Sequence, residues 1–130
     1  MRLSLENTER EAWVKRDFRL TRSTDLKRVR NFGKSYAHPL VVLVAIPSTG
    51  KGLRVGIIAG RSVGGAVQRN RAKRLLREAM RLLVSRVSPG WDLVLIARQP
   101  MLKTTLQQVH VALSQLASRA GLLSNHSDAL

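Results

Sequence analysis

Residues 66–87 constrain the fold of this chain more than any other stretch. Set on a helix at about 100° per residue, Ala72, Leu75, Leu76, Ala79, Leu82 and Leu83 gather along one side. Arg69, Asn70, Lys73, Arg74, Arg77 and Arg81 gather along the other. Such a helix must bury one face and leave the other to water or to a ligand. Met80 and Val84 fall on the basic side, so the division is imperfect. The apolar face needs a sheet to sit on. Residues 53–59 read as one strand, and residues 93–97, aliphatic throughout, read as a central one.

The other elements follow from punctuation. Ser23 or Thr24 is placed to cap a helix carrying Leu26 and Val29, with Phe32 near its end and Gly33 as its stop. Residues 36–46 read as a strand with Pro39 near its start, leaving room for a further strand hidden inside it. Residues 47–52 form a turn cluster, so this strand and residues 53–59 are expected to pair as an antiparallel hairpin. Residues 60–65 form a glycine-bearing loop, and Pro89 and Gly90 end the long helix. After Pro100, Thr104 or Thr105 caps a last helix with Leu106, Val109, Leu113, Leu116, Ala117 and Ala120 on one side, and Gly121 ends it. The order implies an α+β sandwich of helices on a small sheet. Residues 1–18 read as an extension outside the core, free to be flexible, residues 19–123 as one domain, and residues 124–130 as a tail. Trp91, Tyr36 and Phe32 read as packing residues, and His110 as a surface or packing histidine.

Charge narrows the function. The chain has 23 Lys and Arg against 8 Asp and Glu, a formal +15. Residues 26–127 hold seventeen of the bases and only two acids, Glu78 and Asp92. Self-repulsion on this scale favours a polyanionic partner, and the predominance of arginine suits phosphates and bases. The long helix carries six cations on little more than three turns, with only Glu78 among them. Like charges at i,i+4, such as Arg69/Lys73 and Arg77/Arg81, each cost a few tenths of a kcal/mol. With no cysteine, disulfides and thiol chemistry are excluded. Five of the eight carboxylates precede residue 26, and no acid pair has the spacing of a two-metal site. His38, His110 and His126 lie far apart, and no G-x-S-x-G elbow is present. The longest purely aliphatic run has seven residues (40–46), against the roughly twenty of a membrane helix. With no signal-like opening, the cytoplasm is the expected compartment. The classes this charge pattern leaves open include a structural RNA-binding protein of the ribosomal kind, a DNA-binding regulator, although no helix-turn-helix spacing supports it, and a self-contained nuclease.

The run Arg69-Asn70-Arg71-x-Lys73-Arg74-x-x-Arg77 resembles the signature of the bacterial ribonuclease P protein component. The likeness extends to Leu53-Arg54-Val55-Gly56, to Gly64, Ala66 and Val67, and to Ile96-Ala97-Arg98-Gln99-Pro100. It implies helices on a roughly four-stranded mixed sheet, with a left-handed β-α-β crossover. It implies a subunit that assists magnesium-dependent removal of the 5′ leader from precursor tRNA, with Mg2+ held mainly by the RNA subunit and the substrate. The partners implied are the catalytic RNA and precursor tRNA, with no membrane and no further protein required. Carried over by position, Arg61, Arg69, Asn70, Arg71 and Arg74 face the catalytic RNA, while Leu26, Arg30, Val44, Lys73 and Arg77 line a cleft for the leader. Relatives commonly have aromatic rings where this chain has Leu26, Arg30 and Val44, a lysine in place of Ser62 and an asparagine in place of Gly65.

Overall fold

The structure, a computed structural model, describes residues 19–48, 50 and 52–123. The extension expected at 1–18 and the tail at 124–130 lie outside the described residues. The elements in chain order are α1 (Ser23–Phe32), β1 (Lys34–Ala37), β2 (Val41–Pro47), β3 (Arg54–Ile58), α2 (Ala66–Leu83), β4 (Trp91–Ala97) and α3 (Leu106–Arg119). Short 3-10 turns at Val84–Arg86 and Gln99–Lys103 follow α2 and β4. This is the expected α+β arrangement of helices on a mixed four-stranded sheet, of order β1-β2-β4-β3.

β4 decides the topology. Its aliphatic residues face helices on both sides of the sheet, which suits a strand with neighbours on both edges. It pairs antiparallel with β2 and parallel with β3. The hairpin expected between residues 36–46 and 53–59 therefore does not form. The strand leading into β4 enters between the two: the Ser48 N–H donates to the Gly90 carbonyl (2.8 Å) and the Gly90 N–H to the Gly52 carbonyl (3.0 Å). The parallel pair is joined by α2, since parallel neighbours need a long connection. The real hairpin is β1–β2, the hidden strand left open by the sequence. Pro39 sits in its turn, where the Leu40 N–H donates to His38 Nδ1 and the His38 N–H to the Val41 carbonyl.

Helix ends differ from expectation in two places. Arg22, not Ser23 or Thr24, occupies the N-cap of α1, and no side chain caps it. α2 stops at Leu83 rather than near residue 87, and its last turn tightens into the 3-10 form. Val87 then bridges to Leu123. Thr105 caps α3 through a reciprocal bond with Gln108, a capping box, and Gly121 follows with φ of +72°.

The sheet buries both faces. On one, Leu43, Val55, Leu93 and Leu95 meet Leu76 and Leu83 of α2 and Leu113 and Leu116 of α3. Trp91 and Tyr36 are half-buried against this cluster, as expected of packing residues. Phe32 is not one: it is 76% exposed. On the other face Leu20, Val29, Val44 and Val94 form a smaller cluster beneath α1. There Gly56 admits Leu20 and Leu26, since a Cβ at this position would lie 2.5 Å from Leu26 Cδ2.

Asp92 is the only charged residue fully buried among the described residues. Arg54 of β3 grips it with both prongs, Nε to Oδ1 at 3.1 Å and the terminal nitrogen to Oδ2 at 2.9 Å. Arg28 of α1 donates to Oδ2 as well. A buried carboxylate tolerates its desolvation only when compensated this way. Burial alone would push the carboxyl up; the bonds from Arg54 and Arg28 outweigh it and hold the group below the ordinary carboxylate range.

Two outcomes follow for stability. Gly56→Ala should destabilise by about 1–3 kcal/mol, the scale of overpacking, because a Cβ there would also lie 2.8 Å from the Leu20 carbonyl oxygen, which cannot swing aside as Leu26 can; an unchanged denaturant midpoint would contradict the close seating of the Leu20 segment on β3. Because Asp92 titrates lower in the folded state, its stabilisation is complete above about pH 5 and disappears as pH falls below about 4. Thermal melts across that range should show this loss, and Asp92→Asn should remove its share of it.

Candidate nucleic-acid interface

α2 is built to lie close to the sheet and to turn its cations away. Its buried stripe is Ala72, Leu76, Ala79, Met80 and Leu83, in which two alanines let the helix come near. This stripe lies about 50° nearer the basic side than the sequence suggested. Met80 is in the core, and Leu82 is 48% exposed. The shift divides the polar residues of the helix into two sets. Asn70, Arg71 and Arg74 stand exposed on the outer side, while Arg69, Lys73, Arg77 and Arg81 are half-buried along the flank of the seam. Among the described residues, the only ion pair made by α2 is Arg81–Glu78, 3.1 Å apart.

The start of α2 is bare. Gly65 is its N-cap, no side chain caps it, and its first turn holds no acid, so the first N–H groups point outward unpaired by side chains. Gly64 has φ of +148°, and a Cβ there would meet the Gln68 side chain at 2.9 Å, which accounts for glycine at this position. Arg61 is exposed in the same loop, where its carbonyl accepts the Gly64 N–H. Val67, 77% exposed, falls between Arg71 and Arg74 on the helix wheel. It belongs to the outer face, and its wheel position was the signal that could have placed it there.

Two of the flank set, Lys73 and Arg77, open onto a cavity of about 310 Å3 at the β3 edge of the sheet. Lys73 and Arg77 come from α2, Leu26 from α1, and Arg19, Leu20 and Thr21 from the segment preceding α1. That segment adds to the edge strand: Arg19 bridges Val55 in parallel, and the Leu20 N–H donates to the Val55 carbonyl at 3.0 Å. The sequence offered no sign that Arg19 and Thr21 would be here, because the pairing that brings them is non-local. Arg30 is exposed on the same flank of α1 as Leu26. That flank overhangs a half-buried apolar row, Val42, Ile96 and Ile58, set side by side by strand register. Val44 is different: at 2% exposure, packed beneath α1, it offers no surface to a ligand. So Leu26, Lys73 and Arg77 converge, Arg30 lies alongside, and Val44 serves packing.

The arrangement suits polyanion binding. Phosphates attract the guanidinium ridge and the bare helix start, while the apolar row and cavity accept an extended strand. Among the described residues no three His, Asp or Glu are grouped to hold an ion, and Asp92 is fully engaged by two arginines. Nor is any described helix long and apolar enough to cross a membrane.

The family model described as Ribonuclease P matches residues 14–121. A ribonuclease P protein component from Herpetosiphon aurantiacus is 39% identical over 109 residues, 84% of this chain and 89% of the relative. Among solved structures, the Staphylococcus aureus RNase P protein is similar with a TM-score of 0.74 at 28% identity, over 82% of this chain and 98% of that one. The RNase P protein from Thermotoga maritima gives 0.70 at 28% identity, over 78% and 96%.

The outer cations carry a stability signature. Because Arg71 and Arg74 are exposed and make no ion pair among the described residues, the double variant Arg71→Ala/Arg74→Ala should hold its denaturant midpoint to within about 0.5 kcal/mol or rise slightly as repulsion is relieved. A large loss would show them to be structural.

Proposed function

This chain belongs to the ribonuclease P protein family, and from that membership we propose that α2 docks its outer face on the catalytic RNA while the β3-edge cleft receives the 5′ leader of precursor tRNA. The observation that carries the reading is the outer α2 face itself, which keeps its guanidinium groups exposed and without carboxylate partners among the described residues. Arg61, Asn70, Arg71 and Arg74 supply the catalytic-RNA side, joined by the half-buried Arg69 from the flank near the start of the helix. Leu26, Arg30, Lys73 and Arg77 supply the leader side, with Lys73 and Arg77 set to neutralise backbone phosphate.

The reaction is hydrolysis of one phosphodiester, which leaves the mature 5′ end of the tRNA. The chemistry belongs to the RNA. Of the three described acids, Asp92 is buried between arginines, Glu78 pairs with Arg81, Asp25 lies in the first turn of α1, and no three are grouped to hold Mg2+. Magnesium fits the phosphate oxygens of RNA subunit and substrate, and supplies there the charge neutralisation that the reaction needs. The protein's part is electrostatic. Catalytic RNA and substrate repel each other, and a cationic ridge between them raises substrate affinity and lowers the metal concentration that screening requires.

Reconstitution tests this. Added to a bacterial catalytic RNA at low magnesium, the protein should stimulate leader removal, the Arg71→Ala/Arg74→Ala variant should lose most of that stimulation, and the protein alone should not cleave. Cleavage by the protein without RNA would overturn the assignment of chemistry. With Arg61, Arg69, Arg71 and Arg74 all on phosphate, the log–log salt slope for binding the catalytic RNA should be roughly −2.8 to −3.6; a slope near zero rules the ridge out.

A further inference from the structure

α1 rests on the sheet by few contacts. Val29 is its one fully buried side chain. The helix crosses the strands, with Leu26 over Gly56 of β3 at one end and Gly33, just past the other end, against Val44 of β2. With Val29 turned to the sheet, Arg28 lies about 100° to one side, and Leu26 and Arg30 lie about 60° and 100° to the other. Arg28 reaches the buried Asp92. Leu26 lines the cavity, and Arg30 lies beside it on the flank that overhangs the apolar row described above.

We propose that Arg28 and Asp92 are positioning residues, whose ion pair on one flank of α1 fixes the roll of the helix and so the angle at which Leu26 and Arg30 meet the leader. The proposal rests on the leader reading of the cleft. Three observations carry it. Asp92 is immobilised in the central strand and gripped in bidentate fashion by Arg54, which is also on the sheet. Of the two arginines, only Arg28 links that carboxylate to α1, and among the described residues it is the only ion pair between α1 and the sheet. Arg28 and Arg54 share one anion, so they repel each other without it. A ten-residue helix with one fully buried valine, and with Leu26 only partly buried over Gly56, is otherwise weakly held in roll. Rolling would lift or lower Leu26 and Arg30 at the cost of the small cluster beneath α1 alone, leaving the main core between the sheet, α2 and α3 unchanged.

The test uses the holoenzyme assembled from a bacterial catalytic RNA and this protein, and measures the affinity for precursor tRNA relative to mature tRNA. Asp92→Asn risks unfolding, so the informative variant is Arg28→Met, which leaves the Arg54–Asp92 pair whole. Arg28→Met and Arg30→Ala should each lower the preference for leader-bearing substrate by about five- to tenfold, the scale of one lost ordered contact. The double variant should lose less than the sum of the two single losses, Arg28→Lys should restore part of the preference, and affinity for the catalytic RNA should not change. A wild-type preference in Arg28→Met, or additive losses in the double variant, would overturn the positioning role while leaving the leader reading intact. If the wild-type holoenzyme shows no preference for the leader, or Arg30→Ala has no effect on it, the leader reading fails and the positioning role with it.

Discussion

Everything in this molecule turns on how narrowly α2 is seated. Its buried stripe is small, with Ala72 and Ala79 beside Leu76, Met80 and Leu83, and it presses against a sheet whose own side chains are large and aliphatic. A cation cannot enter that seam without losing its hydration, so the remaining cations of the helix must lie outside it. Hydrophobic burial on one side thus holds together a row of charges that repel one another on the other. The helix would be a poor one in isolation, and its stability comes from the sheet.

The acids are distributed to match. On the α1 side of the sheet, Asp92 compensates Arg28 and Arg54, and a buried ion pair ties a thinly packed helix in place. On the outer side of α2, Arg71 and Arg74 have no such compensation among the described residues. The same residue type therefore serves two ends: arginine paired with a buried carboxylate is part of the scaffold, and arginine left exposed is what the proposed docking on RNA would use. The β3 edge is where the two meet, since Lys73 and Arg77 from one layer and Leu26 from the other share one cavity.

Much of this was legible in the sequence because it is local. The amphipathic period of α2, the stop at Gly33, the cap of α3 and the aliphatic run of β4 each depend on neighbours a few residues away. What was not legible depends on distant partners. The expected hairpin failed because nothing between residues 36 and 59 records that β4, more than thirty residues on, inserts between those strands. Met80 looked misplaced on the wheel because the buried face is set by where the sheet lies, not by the mean direction of the apolar residues. Val44 was assigned to the cleft through likeness alone, and its burial beneath α1 follows from a strand face that the sequence could not orient. Arg19 and Thr21 went unassigned because their place comes from an added bridge to the β3 edge.

The claim that α2 and the β3-edge cleft face two different RNAs can be tested most directly by mapping contacts in the assembled complex. A photoreactive group placed at position 70, on the outer face of α2, should cross-link to the catalytic RNA. The same group at position 26, in the cavity, should cross-link to the 5′ leader of bound precursor tRNA. Cross-links from position 70 to the tRNA, or none from either position to RNA, would contradict the account.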